Sequence, residues 1–487
     1  MENADTVGEV AQFKGDRPSI VPLWLDGYQV KTSRTFEVVS PATGEHLWLS
    51  STASKRDVEA AVESSQKAFT SWSKTKPNER RDIILRAADI LTRRKDELYH
   101  YTGNETGVGE KAFSKDHELA IQCCKSVAGL IQTVNGFLPT LEEEGMEGLV
   151  YRQPYGVVLG IAPWNAPCIL GVRALVMPLA AGNTVILKGP EAAPAIYWAI
   201  AAAFHEAGLP AGCLNTIIHQ PSDASEITTA LISHPLVKKV NFTGSSAVGA
   251  ILASLAGKYL KPVLMELGGK APAIVCEDAD LSKAAMGCAT GAFIHSGQAC
   301  MATERIIIHE KVADAFKKIL KTTVERLFHG KPLNLVSKLP VQKNKQLLAD
   351  ALSKGAEILY GEPEFRDDVA SMKPIVVDRV NPTMDIYHTE SFGPSVSVFT
   401  VRSDEEAIAI ANDTPYGLAS AVYTEDLKRG LRIARAIETG AVHINSMSVH
   451  DEAALPHGGV KNSGFGRFNC REGLEEWVYT KVVTWKE

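Results

Sequence analysis

Apolar and polar positions divide this chain into two long stretches in which short apolar runs alternate with helix-period segments. Between Gly156 and Pro262 the runs VVLGIA, NTVILK, CLNTII and VKKVNFTG are each followed by a helical pattern. Strands and helices in strict alternation imply a parallel sheet with covering helices, a dinucleotide-type fold by pattern. A second α/β stretch runs from Glu266 to about Arg467, and the tail EEWVYTKVVTW reads as a lone strand in need of a sheet. Ahead of these, Trp24 to Leu49 reads as a β-meander with turns at Asp26-Gly27 and Thr43-Gly44. Amphipathic helices are expected over residues 55–74, 78–101 and 114–137. Acidic LEEEGMEGL then breaks the pattern before Tyr151-Arg152-Gln153-Pro154 resumes extended structure, which marks a candidate excursion out of the domain.

A chain of 487 residues is too long for one core, so two or three domains are expected. Its 45% hydrophobic and 22% charged content is that of a soluble globular protein. A net charge of −6 argues against nucleic acid or an anionic membrane as main partner. The eight cysteines form no CxxC pair, which suggests a reducing compartment without a disulfide framework. Acidic, polar residues 1–13 resemble neither a signal nor a transit peptide, and no apolar run reaches membrane-span length, so cytoplasmic localisation is expected. His443, His450 and His457 recur every seven residues, but Pro456 and Gly458 forbid one helix through them, and no metal site is expected.

Candidate chemistry centres on AFIHSGQACMATER, where Cys300 follows Ser296-Gly297-Gln298 at the hand-over from a helix (281–292) to a strand (305–308). The plainer reading is a buried structural cysteine. Asn165, in Pro163-Trp164-Asn165-Ala166-Pro167, stands where a helix N-cap would; its amide suits a developing oxyanion, or merely caps. Glu266 ends an apolar strand just before Gly268-Gly269, a place for a general base, or for a salt bridge to Lys270. Three further sites suit a dinucleotide. Gly244, Ser245 and Gly249 follow the strand VKKVNF, where a backbone can approach a pyrophosphate at a helix N-terminus, although a tight turn explains them equally. Lys188 and Glu191 follow NTVILK and could grip ribose hydroxyls, or form a solvated pair. Glu390 and Phe392 precede the Gly393-Pro394 turn.

Together PWN (163–165), LKGPE (187–191), FTGSSAVG (242–249), ELGGK (266–270), SGQAC (296–300), ESFGP (390–394) and PHGGVKNSGFGR (456–467) resemble, in order and approximate spacing, the NAD(P)-dependent aldehyde dehydrogenase superfamily. The match covers nearly the whole chain. It implies a Rossmann-like NAD-binding domain (1–129 and 153–265), an α/β catalytic domain (266–466) and a small β-flap (130–152 and 467–487) that joins subunits into a homodimer or homotetramer. It also implies Cys300 as nucleophile, Asn165 as oxyanion donor and Glu266 as the base for the hydrolytic water. Lys188 and Glu191 would hold the adenine ribose, Ser245 the pyrophosphate and Glu390 the nicotinamide ribose, with Trp164 and Phe392 lining the cofactor cleft. Glu191 favours NAD over NADP, since a carboxylate repels a 2′-phosphate. Two departures stand out: His295 where the family often has Asn, and His457 where it usually has Phe.

APWNAPCILGVRALVMPLA, GQACMATER and VHDEAALPHGGV further resemble the salicylaldehyde and related aromatic-aldehyde dehydrogenases. That implies an aromatic aldehyde as substrate, with Ile169, Val172, Arg173 and His457 lining its tunnel. Arg173 could meet a phenolic oxygen, or pair with Asp451 or Glu452 and only shape the packing. An aliphatic or semialdehyde substrate, a CoA-acylating reaction, and a structural or binding role on a retained fold are the alternatives.

Overall fold

Five parallel strands carry the first half: Val157–Ile161, Thr184–Lys188, Leu214–Ile217, Val237–Thr243 and Val263–Glu266. Across the sheet the last two lie on one side of Val157–Ile161, and Thr184–Lys188 and Leu214–Ile217 on the other. Most of these positions are buried, which is why they read as unbroken apolar runs. The strand order therefore reverses between Val157–Ile161 and Val237–Thr243, and a crevice opens beyond their carboxyl ends. The computed structural model describes residues 19–363, 365 and 369–486; the polar opening segment, residues 1–13, lies outside them.

The second half holds a seven-stranded sheet built on Ala271–Val275, Thr303–His309, Ser395–Val401 and Ala419–Tyr423, all parallel. Period-two alternation gives it two apolar faces. Ile274, Ile307 and Val422 enter one core, while Ala273, Ile306, Ile308 and Ala421 enter the other. The halves are joined at Gly464–Phe465, a short strand that pairs antiparallel with Val263–Glu266 and sets Gly464 opposite Glu266. Two α/β units, each with its own largely parallel sheet, match the fold class expected from the motifs.

Local details correct the sequence reading in four places. The meander is not one sheet. Leu23–Leu25 and Tyr28–Val30 extend the first sheet, whereas Thr35–Val39 and His46–Ser51 pair in another. Both turns fall where Gly predicts them, with Gly27 and Gly44 at φ 80° and 74°. The helix expected over 78–101 is two, Pro77–Arg93 and Lys95–Thr106, because Arg94 leaves helical geometry at φ −92°, ψ 16°. The third runs Glu110–Leu130 and stops short, since Phe137 exchanges backbone hydrogen bonds with Val150 instead. Finally, the strand after the acidic break begins within it, at Met146. Met146–Pro154 forms an antiparallel ribbon with the tail strand Val478–Lys486 over nine residues of each. Tyr151, Tyr479, Val482 and Trp485 are exposed on that ribbon.

Among the described residues, no helix is long and apolar enough to cross a membrane.

Candidate active site

Cys300 is brought to the crevice by a loop with little freedom. Helix Leu281–Phe293 gives way to His295, Ser296 and Gly297, three successive residues at positive φ (47°, 60° and 73°). A side chain at Gly297 would meet the Gly393 carbonyl at 2.2 Å, so glycine is required there. Fully buried Gln298 staples the loop: its amide donates to the carbonyl oxygens of His295 (3.3 Å) and Asn334 (3.4 Å), and accepts from Val336 N–H at 2.9 Å. His295 stands at a left-handed position, which Asn tolerates well and a histidine can also occupy. Of the eight cysteines, all unpaired, six are fully buried, and Cys300 and Cys470 are mostly covered but keep some exposure.

The glycine pair after Glu266 explains itself by close approach. A side chain at Gly269 would meet the Cys300 carbonyl at 2.2 Å, and one at Gly268 would meet the Glu390 carboxylate at 2.8 Å. Gly269 N–H also donates to Glu390 Oε1 at 2.8 Å. Lys270 is not the partner of Glu266: it pairs with buried Glu304, whose oxygens accept from the backbone N–H of Ser391 and Phe392. Glu266 is left buried, with neither oxygen satisfied by a hydrogen bond. Burial, and then the Glu266 carboxylate, push the neighbouring Cys300 thiol well above its ordinary range.

Asn165 does not cap the helix Pro167–Ala180. Ala166 occupies the cap position, and buried Asp116 satisfies the first free N–H groups, those of Cys168 (3.0 Å) and Ile169 (2.9 Å). Asn165 turns its amide to the Gln298 carbonyl at 3.0 Å, which keeps it beside Cys300. Asp116 was not singled out from the sequence. A carboxylate on the apolar stripe of helix Glu110–Leu130, next to Phe113 and Ala120, is the signal that finds it.

Two cavities meet at this point. The larger, about 460 Å³, occupies the crevice and is lined by Trp164, Gly244, Ser245, Glu266, Glu390 and Phe392, together with Lys343, which the sequence did not suggest. Trp164 and Phe392 meet edge to face at 5.8 Å. Burial, then the charge of Glu304, raises Glu390 to about 7. Ser245 caps helix Ser246–Lys258, and Gly249 packs on Leu267, where a side chain would come within 2.5 Å. Lys188 and Glu191 are not among the lining residues; Lys188 is buried close to Glu191, and burial lowers its ammonium below the usual range. The cavity's place at the strand-order reversal, beside a helix N-terminus, suits a dinucleotide cofactor.

The smaller cavity, about 120 Å³, is lined by Ile169, Leu170, Arg173, Met301, Asp451 and His457 among others. Val172 is buried elsewhere, and Leu170 takes its place on the wall. At about 100° per residue, positions 166, 169, 170 and 173 share one arc of the helix and 172 falls outside it. Arg173 is buried and its Nη2 pairs with Asp451, while its Nε has no partner. Cys300, Asn165 and Leu170 line both cavities. Among the described residues no three His, Cys, Asp or Glu side chains are grouped to hold a metal ion.

Comparison with known proteins finds relatives along nearly the whole chain. The model of the aldehyde dehydrogenase family matches residues 28–483. Vanillin dehydrogenase of Pseudomonas fluorescens is 41% identical over 473 residues, covering 95% of this chain and 97% of the relative. The solved structure of a salicylaldehyde dehydrogenase from Pseudomonas putida G7, complexed with salicylaldehyde, superposes with a TM-score of 0.93 at 35% identity, covering 96% of this chain and 98% of that one. Betaine aldehyde dehydrogenase from Staphylococcus aureus, in complex with NAD+, gives 0.90 at 28% identity, covering 95% and 94%.

Proposed function

Because the chain belongs to the aldehyde dehydrogenase family, and so is an aldehyde-oxidising oxidoreductase that uses a nicotinamide cofactor, we propose that it oxidises a hydroxylated aromatic aldehyde to the carboxylic acid with NAD. The observation that carries this reading is the position of Cys300 between a cofactor-sized crevice and a ring-sized pocket. The pocket's volume of about 120 Å³ is close to that of cavities known to hold one benzene ring, roughly 150 Å³. Its relatives named for vanillin and salicylaldehyde point the same way.

In this reading Glu266 takes the thiol proton and the Cys300 sulfur attacks the aldehyde carbonyl. The Asn165 amide has one N–H on the Gln298 carbonyl and a second left for the oxyanion. Bound in the larger cavity, NAD would supply the hydride acceptor. Trp164 and Phe392 would wall its nicotinamide end, Glu390 would hold the nearby ribose, and Ser245 the pyrophosphate. After giving the thiol proton up to solvent, Glu266 draws a second proton from water as the water oxygen attacks the Cys300 thioester; the C–S bond breaks, that proton returns to the sulfur and the acid is released. The presence of Glu266 favours hydrolysis over acyl transfer to a thiol. The same ribbon that exposes Tyr151 and Trp485 would join copies into a homodimer or homotetramer in the cytoplasm.

A semialdehyde with a free carboxylate is disfavoured because both cations lining the pocket are already matched, Arg173 by Asp451 and Lys115 by Glu118. What Arg173 retains is a buried Nε without a partner, which in this reading would meet a phenolic oxygen. Arg173→Lys, which keeps Asp451 paired, should lower kcat/KM for hydroxybenzaldehydes about tenfold more than for benzaldehyde, the worth of one charge-assisted hydrogen bond. An equal fall with both would make Arg173 purely structural. If Glu191 holds the ribose hydroxyls, NAD should be preferred over NADP, and Glu191→Gln should narrow that preference about tenfold. Cofactor reduction measured over a panel of aromatic, aliphatic and carboxylated aldehydes tests the whole reading. A clear preference for aliphatic or carboxylated substrates would overturn it.

A further inference from the structure

His457 is buried, and its backbone is clamped to Phe468 by two hydrogen bonds of 2.9 and 2.8 Å. Its two ring nitrogens face two different carboxylates. Nε2 lies 3.5 Å from Glu266 Oε1, and Nδ1 lies 3.7 Å from Asp451 Oδ1. Asp451 is fixed in turn by Arg173 and by the Asn469 amide at 3.0 Å. Burial works against its charge, but Arg173 and His457 outweigh it and hold Asp451 at about 2.

A neutral imidazole can donate to only one of its two carboxylates, whereas an imidazolium can donate to both. With His457 neutral, Arg173, Asp451 and Glu266 leave one net negative charge in a buried cluster. One added proton brings the cluster to zero, on Glu266 or on His457. The other titratable groups facing it are Asp116, Cys123, Cys300, His443 and Cys470. Burial keeps His443 neutral, with a value of about 4, so it does not compete for the proton near neutral pH.

We infer that His457, standing between Glu266 and Asp451, is a positioning residue that receives and returns the proton Glu266 handles during thioester hydrolysis. The inference rests on the hydrolytic role proposed for Glu266. A water O–H bond breaks as its oxygen bonds to the thioester carbon; the proton passes to Glu266 and on to His457 Nε2. The C–S bond then breaks, and the proton returns through Glu266 to the Cys300 sulfur. Contacts of 3.5–3.7 Å suit groups that close up only when the substrate is in place.

The test compares wild type with His457→Phe, which restores the residue expected from the family, and His457→Gln, which can hydrogen-bond Glu266 but cannot carry a proton. Burst kinetics of NADH formation with a hydroxybenzaldehyde, intact mass, and kcat against pH are the readouts, with NAD affinity and thermal melting as folding controls. Both variants should keep the first turnover, accumulate acyl-enzyme, and lose at least about tenfold in steady-state rate. The acid limb of the kcat profile should move in both. Wild-type steady-state rate and an unchanged profile in His457→Phe would overturn the inference, as would full recovery in His457→Gln. Absence of an acyl-enzyme in Glu266→Gln would instead defeat the hydrolytic reading on which it rests.

Discussion

Serine in place of Cys300 is expected to lower kcat for aldehyde oxidation by at least about 10³-fold while NAD affinity changes by less than about twofold. The hydroxyl fits where the thiol fits, so the three left-handed residues before it and the Gln298 staple should hold their places. What is lost is ionisation: a carboxylate can take a proton from a thiol, even one pushed up by burial and by Glu266, far more readily than from an alcohol. No other cysteine can stand in. Cys288, the nearest along the chain, is fully buried in helix Leu281–Phe293, and burial alone raises its thiol far out of the useful range. Titration calorimetry with NAD and a steady-state assay give the two readings. A variant retaining more than a few per cent of the wild-type rate would rule out a Cys300 thioester.

Glu266→Gln should separate the two halves of the reaction. Turnover is expected to fall about 10²–10⁴-fold, the usual worth of a general base, while one equivalent of NADH per site still forms. The first half survives for an electrostatic reason. Removing the carboxylate removes part of what raises the Cys300 thiol, so in the variant the thiolate forms at lower pH than in wild type. The pH dependence of the burst should shift downward accordingly, and intact mass should reveal the acyl adduct on Cys300. Unimpaired turnover at neutral pH would show that water is activated by another group.

What the sequence made legible, and what it hid, follows the range of the forces involved. VVLGI and TVILK read as strands because both faces of a central parallel strand are buried and every position must be apolar. The loops around Cys300 and Glu266 were visible through their glycines, since Gly268, Gly269 and Gly297 have neighbours within 3 Å of where a side chain would begin. The partner of a buried charge is another matter, because a chain does not announce which distant side chain will neutralise it. Lys270 found Glu304 rather than Glu266, Asp116 reached the far helix Pro167–Ala180, and Arg173 found Asp451, one of its two expected partners. Each pairing is fixed by packing between elements remote in sequence. The Val172 and Leu170 exchange has a smaller cause. A helical face is about 100° wide per residue step, so spacing alone leaves two candidates and packing selects one.

The short strand Gly464–Phe465 closes a circuit: the chain leaves the first sheet at Glu266, builds the entire second unit, and returns to lie opposite that same residue. Geometrically, the second unit is a lobe whose exit and entry are pinned side by side. Doubling the length of a surface loop costs only about 0.6 kcal/mol in closure entropy, so such loops within the lobe can lengthen or shorten without displacing the pinned ends. The lobe is thus free to diversify at its periphery while the spacing between the two sheets stays constant. Gly464 itself has no such latitude, because a side chain there would meet the Met265 carbonyl at 2.0 Å.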